Sequence, residues 1–210
     1  MNTNPNKAIF VFDLHDVLVK KNYPKILRYL VRHCYRIDLL CFFLSPSFIK
    51  HIIQLLTTSR VPEHYIVSTA KKYPKFSPFV DVIINMMNEQ VPIDDTLGLV
   101  AELKNQGHPL YLFSNIGQRT FAQFKQRFPH IVNLFDDVAV AQENDNWIQK
   151  PYHEAFEKFI KKFNLSAHQC IFIDNNKRNI NTARECGFNT ILYQSPEKLA
   201  QTLKFKKILI

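Results

Sequence analysis

Three short apolar runs in this 210-residue chain each end in side chains capable of chemistry. Ile9-Phe10-Val11-Phe12 stops at Asp13, and Leu110-Tyr111-Leu112-Phe113 stops at Ser114 and Asn115. Cys170-Ile171-Phe172-Ile173 stops at Asp174, Asn175 and Asn176, while Lys150 stands just before Pro151 and a helical pattern. A single acid after a strand is often only the N-cap of the next helix. Two acids, a hydroxyl and a lysine converging on one crevice could do more. Facing carboxylates need a cation between them, and hard oxygen ligands suit Mg²⁺. A lysine and a hydroxyl beside that ion would hold a phosphoryl group.

The elements that must gather these residues are legible around them. The runs lack polar–apolar alternation, as strands buried on both faces do. A shorter run, Thr190-Ile191-Leu192-Tyr193, predicts a fourth strand. Helical patterns lie between: 94–106 ending at Gly107, 117–128, 151–163 with Pro151 at its first position, and 176–186 ending at Gly187. Strands alternating with helices predict an α/β fold, a Rossmann-like doubly wound parallel sheet. In such sheets ligands bind at the carboxyl ends of the strands, where the three tips would meet. Residues 20–90 break the alternation and read as helices only, with Pro24, Pro46, Pro62 and Pro78 as first-turn prolines and Ser45 and Ser77 as N-caps. They predict a helical cap inserted after the first strand, leaving 1–19 and 91–210 as the core.

Composition narrows the classes. With 46% hydrophobic residues, 4 glycines and 11 prolines, the chain has material for a core and no low-complexity signature. Its longest apolar run, Leu39 to Leu44, falls far short of the ~20 residues a bilayer span needs. The polar Met1 to Lys7 stretch is not a signal peptide. Cysteines at 34, 41, 170 and 186 form no CxxC pair, which fits reduced thiols and a cytoplasmic location. His33, His51 and His64 lack carboxylates at zinc-ligand spacing. The net charge of +9 is concentrated in 20–90, with 11 basic and 4 acidic residues. That excess favours anionic partners or is simply a solvated face, as the stripe Arg28, Arg32 and Arg36 also reads. The basic tail Lys204 to Lys207 comes with no nucleic-acid-binding motif, so no specific nucleic-acid partner is expected.

Taken in order, four segments resemble the motifs of the haloacid dehalogenase-like (HAD) hydrolases. Phe12-Asp13-Leu14-His15-Asp16-Val17-Leu18 resembles the first, whose leading aspartate is the nucleophile. Leu112-Phe113-Ser114-Asn115 resembles the second, whose hydroxyl bonds the phosphoryl oxygens. Lys150-Pro151 resembles the third, and the stretch from Phe172 through Asp174 to Ile180 the fourth, whose acid is a Mg²⁺ ligand. The resemblance implies subfamily I, with its helical cap between motifs one and two. It implies Asp13, His15, Ser114 and Lys150 as catalytic residues and Ser114, Asn115 and Lys150 as substrate-binding residues. Asp13, Asp174 and the His15 carbonyl are the implied Mg²⁺ ligands.

Two positions depart from that pattern. His15 stands where the family's phosphatases carry the aspartate that protonates the leaving group and then activates water. Asp16 stands where glycine is usual, and aspartate tolerates the left-handed backbone that turn needs. An imidazole of ordinary pKa ~6.5 can serve both as acid and as base. The implied activity is Mg²⁺-dependent phosphohydrolysis through an aspartyl-phosphate on Asp13. Its substrate would be a phosphate monoester, either a small molecule or an aryl phosphate such as phosphotyrosine. The alternatives are a HAD-fold domain that binds a phosphorylated or acidic partner without turnover, and other chemistry of the family.

Overall fold

The computed structural model describes residues 7–33, 45–47, 49–50, 62–74, 77–206 and 208. The chain begins with β1 (Ile9–Phe12), β2 (Val19–Lys21), α1 (Tyr23–His33), α2 (Pro62–Lys72), α3 (Ser77–Met87) and β3 (Gln90–Pro92). It continues with α4 (Asp94–Asn105), β4 (Leu110–Gly117), α5 (Gln118–Arg127), α6 (Pro129–Val132) and β5 (Asp137–Ala141). The last third holds α7 (His153–Phe163), β6 (Cys170–Asp174), α8 (Lys177–Glu185), β7 (Asn189–Leu192) and α9 (Pro196–Phe205). Cys34, Arg36, Leu39 to Leu44, His51 and Lys207, singled out in the sequence, lie outside the described residues.

Five strands form one parallel sheet in the order β5-β4-β1-β6-β7. The period-2 pleat sends alternate side chains of β1 to opposite layers. Phe10 and Phe12 join Val100, Leu103, Phe124 and Leu203 from α4, α5 and α9. Ile9 and Val11 join Phe156 and Phe159 of α7 and Ala183 of α8. Both layers are apolar, so the strand between them is apolar throughout, and this is why its sequence shows no alternation. Each fully buried phenylalanine contributes roughly 1.5–3 kcal/mol. Gly107 and Gly187 adopt φ of 76° and 85° just beyond α4 and α8, as C-cap glycines do.

The structure differs from the sequence reading at four places. The insertion is not helical throughout. Val19, Lys20 and Lys21 pair antiparallel with Pro92, Val91 and Gln90, so β2 and β3 form a two-stranded ribbon from which the helices hang. The predicted boundary at 20 and 90 therefore cuts through paired strands. The helix expected from Pro151 starts only at His153, and the Lys150–Pro151 bond is cis. β5 is an added edge strand, with an exposed start at Asp137 and the small residues Val138 to Val140 only half-buried. Of the supposed basic tail, Lys204 to Lys206 close α9, a helix whose start is capped by the Ser195 hydroxyl, which accepts the Lys198 N–H. Among the described residues no helix is long and apolar enough to cross a membrane. Arg28 and Arg32 are exposed on α1. Burial pushes the Cys170 thiol up to about 12, which leaves it unreactive.

Candidate active site

Strand register brings the tips together. Phe12 is level with Ile173 on β6 and with Leu112 on β4, so Asp13 lies beside Asp174 on one flank and beside Phe113 and Ser114 on the other. The Asp13 N–H continues the ladder by donating to the Ile173 carbonyl at 2.9 Å. Between Ser114 and Gly117 the pairing of β4 with β5 shifts register, an irregularity of the kind that re-aims side chains at a site.

Lys150 is the centre of the arrangement. It is 1% exposed, and its Nζ donates to Asp13 Oδ1 at 2.8 Å, Asp174 Oδ2 at 2.8 Å and the Phe113 carbonyl at 2.7 Å. An ammonium has three protons, and all three are used. The Phe113 and Phe172 rings lie with their centroids 5.0 Å from the same nitrogen. Burial by itself would lower the lysine's pKa. The Asp13 and Asp174 carboxylates outweigh it and hold the value above the ordinary one.

Asp174 is the better satisfied of the two acids. Its Oδ1 accepts the Asn176 N–H at 2.7 Å, and its Oδ2 accepts the Asn179 amide at 2.9 Å as well as Lys150. Burial pushes the Asp13 carboxyl up to about 6, with Lys150 opposing and Asp174 adding to the rise. One lysine against two buried acids leaves unmet demand for positive charge at Asp13.

The remaining predicted residues take distinct places. Ser114 is buried, and its Oγ accepts the Ile116 N–H at 3.3 Å, which leaves its own O–H free to donate. Asn115 is held in a reciprocal pair with the Lys150 main chain, which takes one of its two amide protons and one lone pair of its oxygen. Its Nδ2 donates to the Lys150 carbonyl at 2.7 Å, and its Oδ1 accepts the Lys150 N–H at 2.8 Å. Asp16 adopts the left-handed conformation, φ 59°, as the turn after the first motif requires.

His15 departs from expectation. Burial lowers its imidazole to about 4, with Asp16 opposing and Lys21 and Lys150 adding to the fall. At neutral pH it is therefore uncharged and can take a proton but not supply one. Gln90 of β3 reinforces this state. Its Nε2 donates to the Met87 carbonyl at 2.8 Å, which turns the same nitrogen toward His15 Nε2 at 3.3 Å. The histidine nitrogen then accepts, and the ring proton sits on Nδ1.

Gln90 and Asn179 are site residues that the sequence did not single out. Glu63 is a third buried polar residue of this kind. It is 2% exposed on α2, and it accepts the Arg119 N–H at 3.0 Å, the Thr120 N–H at 2.8 Å and the Thr120 hydroxyl at 2.6 Å. It thereby caps α5 from another element, where the preceding Gly117 has no side chain to do so.

A buried lysine bridging two strand-end aspartates beside a strand-end serine matches a family pattern. The sequence model of the haloacid dehalogenase-like hydrolases covers residues 7–187. This chain belongs to that family. As a HAD-like hydrolase it is 33% identical, over 90 residues, to the sesquiterpene phosphatase astK of Aspergillus oryzae. That match spans 42% of this chain and 44% of the relative. The HAD family enzyme bt-2542 of Bacteroides thetaiotaomicron shares the fold with a TM-score of 0.68 at 15% identity, over 94% of this chain and 98% of the other. A complex of that enzyme with magnesium and inorganic phosphate has a TM-score of 0.62 at 15% identity, over 90% and 95% of the two chains. L-2-haloacid dehalogenase of Xanthobacter autotrophicus superposes with 0.59 at 15% identity, over 97% and 85%. These structural likenesses speak to the fold.

Proposed function

We propose that this HAD-like hydrolase cleaves phosphate monoesters through a covalent phosphoryl group on Asp13, with Mg²⁺ as cofactor. The observation that carries the reading is Lys150 held between Asp13 and Asp174 at 2.8 Å each. The donor set fits a hard divalent cation, since the elevated Asp13 carboxyl is a buried acid short of positive charge. Among the described residues no three His, Cys, Asp or Glu side chains cluster as a metal site, so the set would be two carboxylates completed by a main-chain carbonyl. The carboxylates of Asp13 and Asp174 and the main-chain carbonyl of His15 would hold Mg²⁺, which when bound supplies charge that offsets the phosphoryl oxygens.

An Asp13 carboxylate oxygen attacks phosphorus as the bond to the ester oxygen breaks, and the departing oxygen takes up a proton from solvent. Lys150 keeps the attacking carboxylate aimed, and the Ser114 hydroxyl donates to a phosphoryl oxygen. Water then attacks the phospho-aspartate and yields inorganic phosphate and free Asp13. Neutral His15 is suited to taking the proton from that water. A phosphatase screen with Mg²⁺ tests the reading. Turnover should vanish in Asp13→Asn, and the acid-quenched native protein should carry one phosphoryl mass. Turnover that survives Asp13→Asn rules out the covalent route. His15→Ala should slow the second step, common to all esters, by about 10²–10⁴-fold.

The second reading, binding of a phosphorylated or acidic partner without turnover, draws on His15 itself, which has no proton to give the leaving group near neutrality. Saturable binding of phosphate esters to a protein that hydrolyses none of them, whether alkyl or aryl, would favour it.

A further inference from the structure

A cleft of about 790 Å³ opens between α2 and the loop that precedes Lys150. One wall is a single face of α2, with His64, Val67 and Lys71 at helical spacing, and the other presents Trp147, Gln149 and Tyr152. Lys71 and Glu143 pair at 2.8 Å from one wall to the other.

Three features give the cleft a chemical character. Trp147 follows Asn146 in the left-handed region, at φ of 55° and 52°, an uncommon conformation for so bulky a residue. Its N–H donates to the Gln142 carbonyl at 2.9 Å, which pins the turn, and its ring centroid lies 5.6 Å from that of His64 across the cleft. Tyr152, at the rim, is 56% exposed. Gln149 is only 3% exposed, yet its side-chain amide makes no hydrogen bond with any described residue. Its polar atoms are not fully enclosed, so the amide is open to the cleft, and a ligand that covered it without pairing it would bind at a cost.

We infer that this cleft receives the leaving group of the phosphate monoester, and that the group carries a flat aromatic ring with hydrogen-bonding atoms on its edge. The location rests on the phosphohydrolase reading, because Gln149 is the chain neighbour of Lys150. An extended Lys150 puts the Gln149 Cα no more than about 13 Å from the Asp13 carboxylate, a span such an ester covers. The ring itself is argued from the cleft. Trp147 and Tyr152 offer broad faces for stacking, and the Gln149 amide offers one donor side and one acceptor side to a ring edge. A prenyl chain would fill the volume but leave that amide unpaired. The ring has two chemical sources, the base of a nucleoside monophosphate and a polar aryl phosphate.

The chain contains one tryptophan, so the fluorescence of Trp147 reports occupancy of the cleft directly. Asp13→Asn protein, which cannot turn substrate over, is titrated with adenosine monophosphate, phosphotyrosine, farnesyl monophosphate and inorganic phosphate. At least one ring-bearing ester should give a saturable change, and which one responds identifies the source. Farnesyl monophosphate and inorganic phosphate should give none. Adding Gln149→Leu should weaken the responding ester about tenfold, and Tyr152→Ala should weaken it independently of any effect on the loop. Farnesyl monophosphate binding as tightly as the ring esters would overturn the inference, as would an unchanged affinity in Gln149→Leu. Failure of the parent reading looks different. Native protein that hydrolyses esters regardless of ring and without a Trp147 response sinks the cleft and keeps the phosphatase. A saturable ring response with no turnover of any ester by native protein does the reverse.

Discussion

Two sites in this protein bury acids, and they are satisfied in opposite ways. Glu63 is surrounded by neutral donors, two backbone N–H groups and one hydroxyl at 2.6–3.0 Å, and nothing more is asked of it. Asp13 and Asp174 share one ammonium, and Asp13 is left with its carboxyl raised to about 6. The Glu63 cluster is closed and joins α2 to α5. The Asp13 cluster is open to one further positive charge. A buried acid matched by neutral donors on both oxygens serves the architecture, whereas one with residual demand is poised for a ligand.

The largest expected effect breaks the open cluster. Lys150→Met strands two buried carboxylates and should cost about 3–5 kcal/mol in urea unfolding, along with essentially all turnover. Added Mg²⁺ should restore part of that stability, and no response to Mg²⁺ would argue against an ion between the two acids. Glu63→Ala attacks the closed cluster. It orphans three donors and should cost about 3 kcal/mol, while Mg²⁺ still raises the melting temperature as it does in native protein.

Next in size is a pH effect confined to Asp13. Its folded pKa, about 6, lies above the ordinary 3.8, so the folded state holds the proton more tightly. Stability of the metal-free protein should therefore fall as pH rises from about 4 to 6 and stay low above that. Asp13→Asn should flatten this profile and exceed the native protein by up to about 3 kcal/mol at pH 7. A native profile flat between pH 4 and 6 would remove the distinction between the clusters.

The smallest effect is a coupling. A Cβ on Gly117 would lie 2.3 Å from Glu63 Oε2, although φ is not positive there and backbone strain is not the obstacle. Gly117→Ala should destabilise alone, and far less once Glu63 is already alanine. The double-mutant cycle should return about 2 kcal/mol. Additivity would mean that the glycine is required for some reason other than Glu63.

How far the sequence carried depended on whether a residue's partners lie close by in the chain. β1, β4 and β6 were legible because burial on both faces writes an unbroken apolar run, and the acids after β1 and at the end of β6 marked the site. β7, partly buried at the edge, still offered Thr190 to Tyr193. β5 was passed over because its run, Val138 to Ala141, consists of small, mostly half-buried side chains and does not end in a reactive residue. The Val19-Lys20-Lys21 strand has no apolar pattern of its own, since its order comes from pairing with Gln90 to Pro92 far along the chain. Glu63 looked like an ordinary first-turn acid because its partners are main-chain groups more than fifty residues away. His15 was read with an ordinary pKa, whereas its burial comes from the folded surroundings and not from its neighbours in sequence. Asn115 was legible as a strand-end residue, but not that its amide faces Lys150 across thirty-five residues.

The ribbon of β2 and β3 has a consequence for how such a protein can change over time. The chain leaves the sheet at Val19 and returns opposite it at Pro92, so the insertion begins and ends at one paired position. Whatever is spliced between those two points inherits the same attachment, and the strands that carry Asp13, Ser114 and Asp174 keep their register. New helices there can revise what the protein recognises, as an interchangeable jaw on a fixed hinge plate, while the chemistry beneath is copied unaltered. Gln90 adds one restriction. It belongs to the ribbon, is held by the Met87 carbonyl at the end of α3 and contacts His15, so an exchange that moves β3 or the end of α3 would be felt at the reacting centre.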